Sequence, residues 1–147
     1  TLMWIEGLVD ERTTRAAELT ARFAEARHNV LAQNLANIDT PDYHSRNLDP
    51  RLFQESLAAA LERATQCNSS RLDLRGNAQF STTPTGQAEV RPAVEPAPNV
   101  LFHDGTNNRL EGLIADATEN ALYYEMSISF LRNSFQNVLS AIRGRVA

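Results

Sequence analysis

The chain has 147 residues, the length of one domain. Its 14 basic residues, all arginine, stand against 18 acidic ones for a net charge of -4, which argues against a general nucleic-acid binder reliant on a basic face. The single cysteine, Cys67, excludes an intrachain disulfide and a cysteine-built zinc site.

The opening stretch, Thr1 to Asp10, carries no basic region and no long apolar run, so a cleaved secretory signal is not expected. No later segment approaches the roughly 18 apolar residues of a membrane span. Leu2, Ile5, Val9, Ala16, Leu19, Phe23, Ala26 and Val30 fit one heptad frame, interrupted by Arg12 and Gln33. A second stripe of Leu31, Leu35 and Ile38 takes over toward its end. With Asp10 and Glu11 at the positive pole of the dipole, this pattern predicts a helix from about residue 10 to about 37. Thr40 precedes Pro41 and is pushed out of the helical region. Asn37 is expected to take a left-handed C-cap conformation. Asp39 to Tyr43 reads as a turn.

A shorter helix follows, with Asp49 as N-cap and Pro50 at its first position. Phe53, Leu57, Leu61 and Ala64 share one of its faces. From Thr65 to Thr106 half of the residues are Ser, Thr, Asn, Gln, Gly or Pro, and Pro92, Pro96 and Pro98 forbid a continuous helix. A flexible or partner-ordered insert is expected there, with Leu72–Leu74 and Val100–Phe102 as strands or extended arms.

The last third carries an unbroken heptad: Leu110, Ile114, Ala117, Ala121, Tyr124, Ile128, Leu131, Phe135, Val138 and Ile142. It describes roughly 50 Å of helix at about 1.5 Å per residue. Asn108 with Glu111 gives capping-box spacing at its start. Acids (Glu111, Asp116, Glu119) come early and arginines (Arg132, Arg143, Arg145) late, as the dipole favours. Burying one seam against one partner does not offset the cost of ordering so long a helix. The termini are therefore expected to be loosely ordered in the free chain and fixed when subunits pack.

Together these elements predict a mainly α protein. Residues 1–43 and 107–147 form paired terminal helices, an antiparallel coiled-coil-like hairpin. Residues 44–64 are a loop and short helix, and 65–106 an irregular or partly β insert. The helix-packing seam takes Phe23 and Val30 from one side, and Leu110, Ile114, Tyr124, Ile128, Leu131, Phe135, Val138 and Ile142 from the other. Asn34 and Asn37 either fix register from within that seam or cap the helix end.

Chemistry is nearly absent. His28, His44 and His103 lack metal-ligand spacing. There is no Gly-rich phosphate loop and no nucleophile elbow. His103–Asp104 is half of a catalytic pair with no Ser or Cys nucleophile motif beside it. The Asn68–Ser70 glycosylation sequon is of a kind that arises often by chance. No enzymatic activity, cofactor or metal is expected. A small hydrolase built on His103 and Asp104 is one alternative, and a helical adaptor or export chaperone another.

The segment Ala32 to Tyr43 resembles the N-terminal motif shared by bacterial flagellar rod and hook proteins. In that family an Asn-rich helix end leads into Thr-Pro-Gly-Tyr. Asn34, Asn37, Thr40, Pro41 and Tyr43 match, and Asp42 stands where Gly is usual. Arg46–Asp49, the stretch from Asn99 to Gly105, and Leu110 to Tyr124 with its Glu119–Asn120 pair narrow the likeness to one proximal subunit of the basal-body rod, with another proximal rod paralogue as the alternative. The resemblance implies a structural role. Terminal helices would pair as a coiled coil, line the inner wall of a tube around the export channel, and touch neighbours through the Asn34–Tyr43 turn. It implies as partners copies of itself, other rod subunits, the flagellar export apparatus and the base of the rod. It places the protein in the periplasmic rod, exported without a cleaved signal peptide.

Overall fold

In a computed structural model, residues 11–96 and 105–144 are described, with side chains of the second segment from 109 onward. Among the described residues the elements in order are α1 (Glu11–Ala36), β1 (Arg46–Asn47), α2 (Pro50–Gln66), β2 (Phe80–Thr82), β3 (Ala88–Val90), β4 (Ala93–Val94) and α3 (Gly105–Ile142). The expectations placed on Leu2, Ile5, Val9, Asp10, Val100–Phe102, His103–Asp104 and Arg145 lie outside the described residues.

α2 begins as its residues dictate. The Asp49 carboxylate accepts a hydrogen bond from the Arg51 amide at 2.8 Å, and Pro50 needs no donor at a position where none would be satisfied. The helix ends where Asn68 turns left-handed, at φ 47°, so that the Ser69 amide reaches back to the Ala64 carbonyl at 2.8 Å.

The core brings together α1, α2 and the segment after α2. Leu19, Phe23 and Val30 of α1 meet Leu48, then Phe53, Ala60 and Ala64 of α2, then Leu72, Leu74 and Phe80. Three rings form its centre. Phe23 and Phe53 stack with centroids 4.3 Å apart, and Phe80 stands edge-on to both at 5.6 and 5.1 Å.

The middle of the chain is partly β, as expected, and its described part packs into the core. Leu72, Leu74 and Phe80 are fully buried. β2 pairs antiparallel with β3, Phe80 opposite Val90, and β1 with β4, Arg46 opposite Val94. Leu72–Leu74 is not a strand, but its end is tied to β2. The Leu74 amide donates to the Thr82 hydroxyl at 2.9 Å. The many short polar residues are turn chemistry. Asn77 Oδ1 accepts from the amides of Gln79 and Phe80, and the Thr83 hydroxyl accepts from the Gln87 amide. Gly86, at φ 84°, closes the hairpin by donating to the Thr83 carbonyl.

α3 lies antiparallel along α1. Thr14 meets Ser134, Ala24 meets Asn120, and Arg27 meets Asp116 and Glu119. The helix starts at Gly105, so Asn108 sits inside its first turn instead of capping it. Backbone amides of a first turn have no intrahelical acceptor in any case, which makes Asn tolerable there.

Candidate assembly surface

α1 ends in a corner built by its own asparagines. Asn34 is buried, and its amide mimics a neighbouring strand. Nδ2 donates to the Arg46 carbonyl at 2.7 Å, while Oδ1 accepts from the Arg46 amide at 3.0 Å and from the Tyr43 hydroxyl at 3.1 Å. Asn37 does not adopt the left-handed conformation expected of it; its backbone amide and its Nδ2 both donate to the Gln33 carbonyl. That use of the side chain satisfies an end carbonyl without requiring positive φ.

The left-handed residue is Asp42, at φ 59°. The Tyr43 amide donates to the Thr40 carbonyl at 3.3 Å, closing a turn with Pro41 second and Asp42 third. Proline cannot take positive φ, so this is a type II turn, whose third position favours Gly. Asp42→Gly is therefore expected to stabilise the chain by about 0.5–1 kcal/mol, read as a higher urea midpoint at unchanged slope. An unchanged or lower midpoint would refute the strain assigned to Asp42. Asn34→Ala is expected to cost about 2–3 kcal/mol, because it removes three hydrogen bonds in a buried setting and leaves the Tyr43 hydroxyl and the Arg46 backbone short of partners. Urea unfolding measures it. Of the expected assembly motif, Asn34 is thus turned inward and Asn37 and Tyr43 are half-buried. Thr40 and Pro41 are exposed at the tip.

The helix seam differs more from expectation. Phe23 and Val30 are buried in the core with α2 and Phe80. On α3, Ile128, Leu131 and Val138 are half-buried, while Leu110, Ile114, Tyr124, Phe135 and Ile142 are exposed, Phe135 at 62% and Ile142 at 76%. The only buried α3 residues among those described are polar, Asn120 and Ser127. A second heptad explains this. Leu113, Ala117, Asn120, Tyr124, Ser127, Leu131, Ser134 and Val138 also run in steps of four and three. The two frames share Ala117, Tyr124, Leu131 and Val138. The chain turns the more polar frame toward α1 and leaves the apolar one outward.

Hydrogen bonding holds that rotation. Asn120 Nδ2 donates to the Ala24 carbonyl at 2.7 Å, and the Thr14 and Ser134 hydroxyls lie 3.1 Å apart. Arg109 donates to the Ser45 hydroxyl at 3.1 Å, tying the start of α3 to the corner. Arg27 is buried in this interface with the carboxylates of Asp116 and Glu119 at 3.5 and 3.6 Å. Its Nε and Nη1 find no hydrogen-bond partner among the described residues. A buried charge compensated at that distance contributes more to register than to stability.

Two apolar surfaces flank the seam. On one side His28, Leu31, Ala32 and Leu35 of α1 and Leu113, Ile114, Ala117 and Ala121 of α3 line an open groove of about 420 Å³. Across α3, Leu122, Met126 and Phe130 project one turn apart, Met126 at 64% exposure. Apolar side chains are thus exposed along α3 both at this groove and at Leu122, Met126 and Phe130. Among the described residues no group of three or more His, Cys, Asp or Glu is placed to hold a metal, and no helix is long and apolar enough to cross a membrane. His28 borders the groove, and His44 is exposed beside the corner.

The described residues thus form a long antiparallel helix pair with polar side chains buried between the helices and apolar ones exposed along α3. No protein-family model matches the chain, and no solved structure does. Among curated proteins the chain is similar to rod proteins of the bacterial flagellar basal body. The chain is 29% identical over 138 residues to the flagellar basal body rod protein FlgB of Cereibacter sphaeroides, covering 94% of this chain and 98% of the relative. It is 28% identical over 122 residues to FlgB of Escherichia coli and 23% over 125 to FlgB of Salmonella typhimurium, covering in each case 80% of this chain and 83% of the relative. The chain is a homologue of FlgB, and the homology supports a structural role in the flagellar rod.

Proposed function

We propose that this chain is a proximal rod subunit that assembles helically around the flagellar export channel and forms part of the drive shaft for motility. The observation that carries the reading is the outward-facing apolar heptad of α3, together with the opposing Leu122–Phe130 ridge. A subunit with different apolar surfaces on its two sides makes heterologous contacts, and these propagate into an open helix when they do not close into a ring. In this reading α1 and α3 line the inner wall of the tube in the periplasmic rod. The exposed Thr40–Pro41 tip touches a neighbour, while Asn34 and Tyr43 hold the corner that presents it. The partners are copies of this chain, other rod subunits, the base of the rod and the type III export apparatus that delivers it. The role is structural and involves no catalysis.

Mass spectrometry of detergent-extracted basal bodies from the native host tests this. Co-purification with rod and ring components is expected. Recovery only in the soluble fraction, bound to an unrelated protein, would replace the rod reading with that of a helical adaptor.

A further inference from the structure

Away from the terminal helices, the end of α2 and the chain that follows it enclose a cleft of about 380 Å³. Arg63, Cys67, Ser69, Arg71, Asp73 and Arg75 line it, and no residue of α1 or α3 does. Three guanidinium groups against one carboxylate leave a local charge of +2 (3 − 1) in a chain whose net charge is -4.

The single carboxylate is already engaged. Arg75 Nε donates to Asp73 Oδ2 at 2.6 Å and the Thr82 hydroxyl to Oδ1 at 3.2 Å. The hydrogen bond from Arg75 is foremost in holding the Asp73 carboxyl below its usual range, and the charge of Arg71 adds to it. The other two arginines are anchored differently. Arg63 donates from Nε to the Ala59 carbonyl at 3.2 Å and from Nη2 to the Asp73 carbonyl at 3.0 Å. Arg71 donates to the Pro84 carbonyl. Carbonyl anchors orient a guanidinium without neutralising it, and neither group has an ion-pair partner among the described residues. Both keep N–H donors for an oxyanion, in the planar fork that matches a carboxylate.

We propose that this cleft is a docking site for an acidic segment of a partner protein, whose carboxylates are taken by Arg63 and Arg71. The volume admits a few side chains. The acidic chain around it would repel an extended polyanion, whereas a short acidic segment meets only the positive cleft. The site is independent of the rod assignment, because it shares no residue with the helix pair.

Calorimetric titration of the intact chain with hexaglutamate at low salt is the test. Saturable binding is expected, weakened about tenfold by Arg63→Gln or Arg71→Gln and by added salt. Arg51→Gln removes the same charge from an exposed arginine outside the cleft and is expected to leave binding unchanged. Cys67, the chain's one thiol, is exposed and reports location: alkylation by neutral iodoacetamide should slow when the peptide is bound. Both test arginines are exposed, so the variants should melt as the parent does. Absence of binding, equal weakening by Arg51→Gln, or unprotected Cys67 would overturn the proposal. Equal binding of inorganic phosphate at the same concentration would also overturn it, in favour of a site for small anions.

Discussion

Phe80→Ala is expected to lower the unfolding free energy by about 3–5 kcal/mol, the usual cost of emptying a buried phenylalanine site. Phe80 has no exposed surface and stands edge-on to both Phe23 and Phe53. Removing it leaves two stacked rings facing a void that the paired strands β2 and β3 cannot collapse to fill. A domain of this size has a total stability on the order of 5–15 kcal/mol, so the loss takes a large share of it. Urea unfolding followed by far-UV circular dichroism measures the effect. A cost below about 1 kcal/mol would mean that residues 69–96 do not contribute to the core and that the insert is loose after all.

That experiment bears on what could be read from residue order. The Asp49–Pro50 start of α2 was legible because capping is local: one carboxylate, one amide and one proline settle it. The span of α1 was legible for a similar reason, since an acidic start and a Thr-Pro boundary bracket it. The insert was opaque because Ser, Thr and Asn look alike whether they solvate a disordered chain or tie turns such as Asn77 to Phe80. Only contact with Phe23 and Phe53 distinguishes the two, and that contact spans distant parts of the chain. The α3 seam was opaque for another reason. Two heptad frames fit one helix and share four positions, and apolar content favours the one through Ala121, Ile128 and Phe135. The frame used within the chain is selected by the Asn120 bond to the Ala24 carbonyl and by Arg27, neither visible in a hydrophobic pattern. Its regular steps through Asn120, Ser127 and Ser134 were nonetheless a signal. The arginine cleft arises only once the chain reverses at Asn68 and brings Arg71 and Arg75 back toward Arg63.

The outward frame leads to a prediction that separates folding from assembly. Phe135→Asp is expected to leave the stability of the isolated chain within about 0.5 kcal/mol of the parent, because the side chain is already 62% exposed. In an assembled rod the same carboxylate would be buried against a neighbour without a partner, at a cost of several kcal/mol per contact. Repeated along a helix of subunits, that cost should abolish rod formation and motility while leaving export intact. Leu131→Asp is the comparison. Leu131 lies in the frame turned toward α1 and is half-buried there, so its substitution should weaken the helix pair in the monomer as well. Complementing a host that lacks its own copy, then scoring swimming in soft agar and melting of each purified variant, reads both effects. Normal swimming by the Phe135→Asp strain would show that the exposed stripe is not an assembly contact and would remove the physical basis for placing α3 in the tube wall. Loss of swimming together with a collapse of monomer stability would place Phe135 in the fold of the single chain instead. Loss of swimming with unchanged melting is the result that the outward stripe requires.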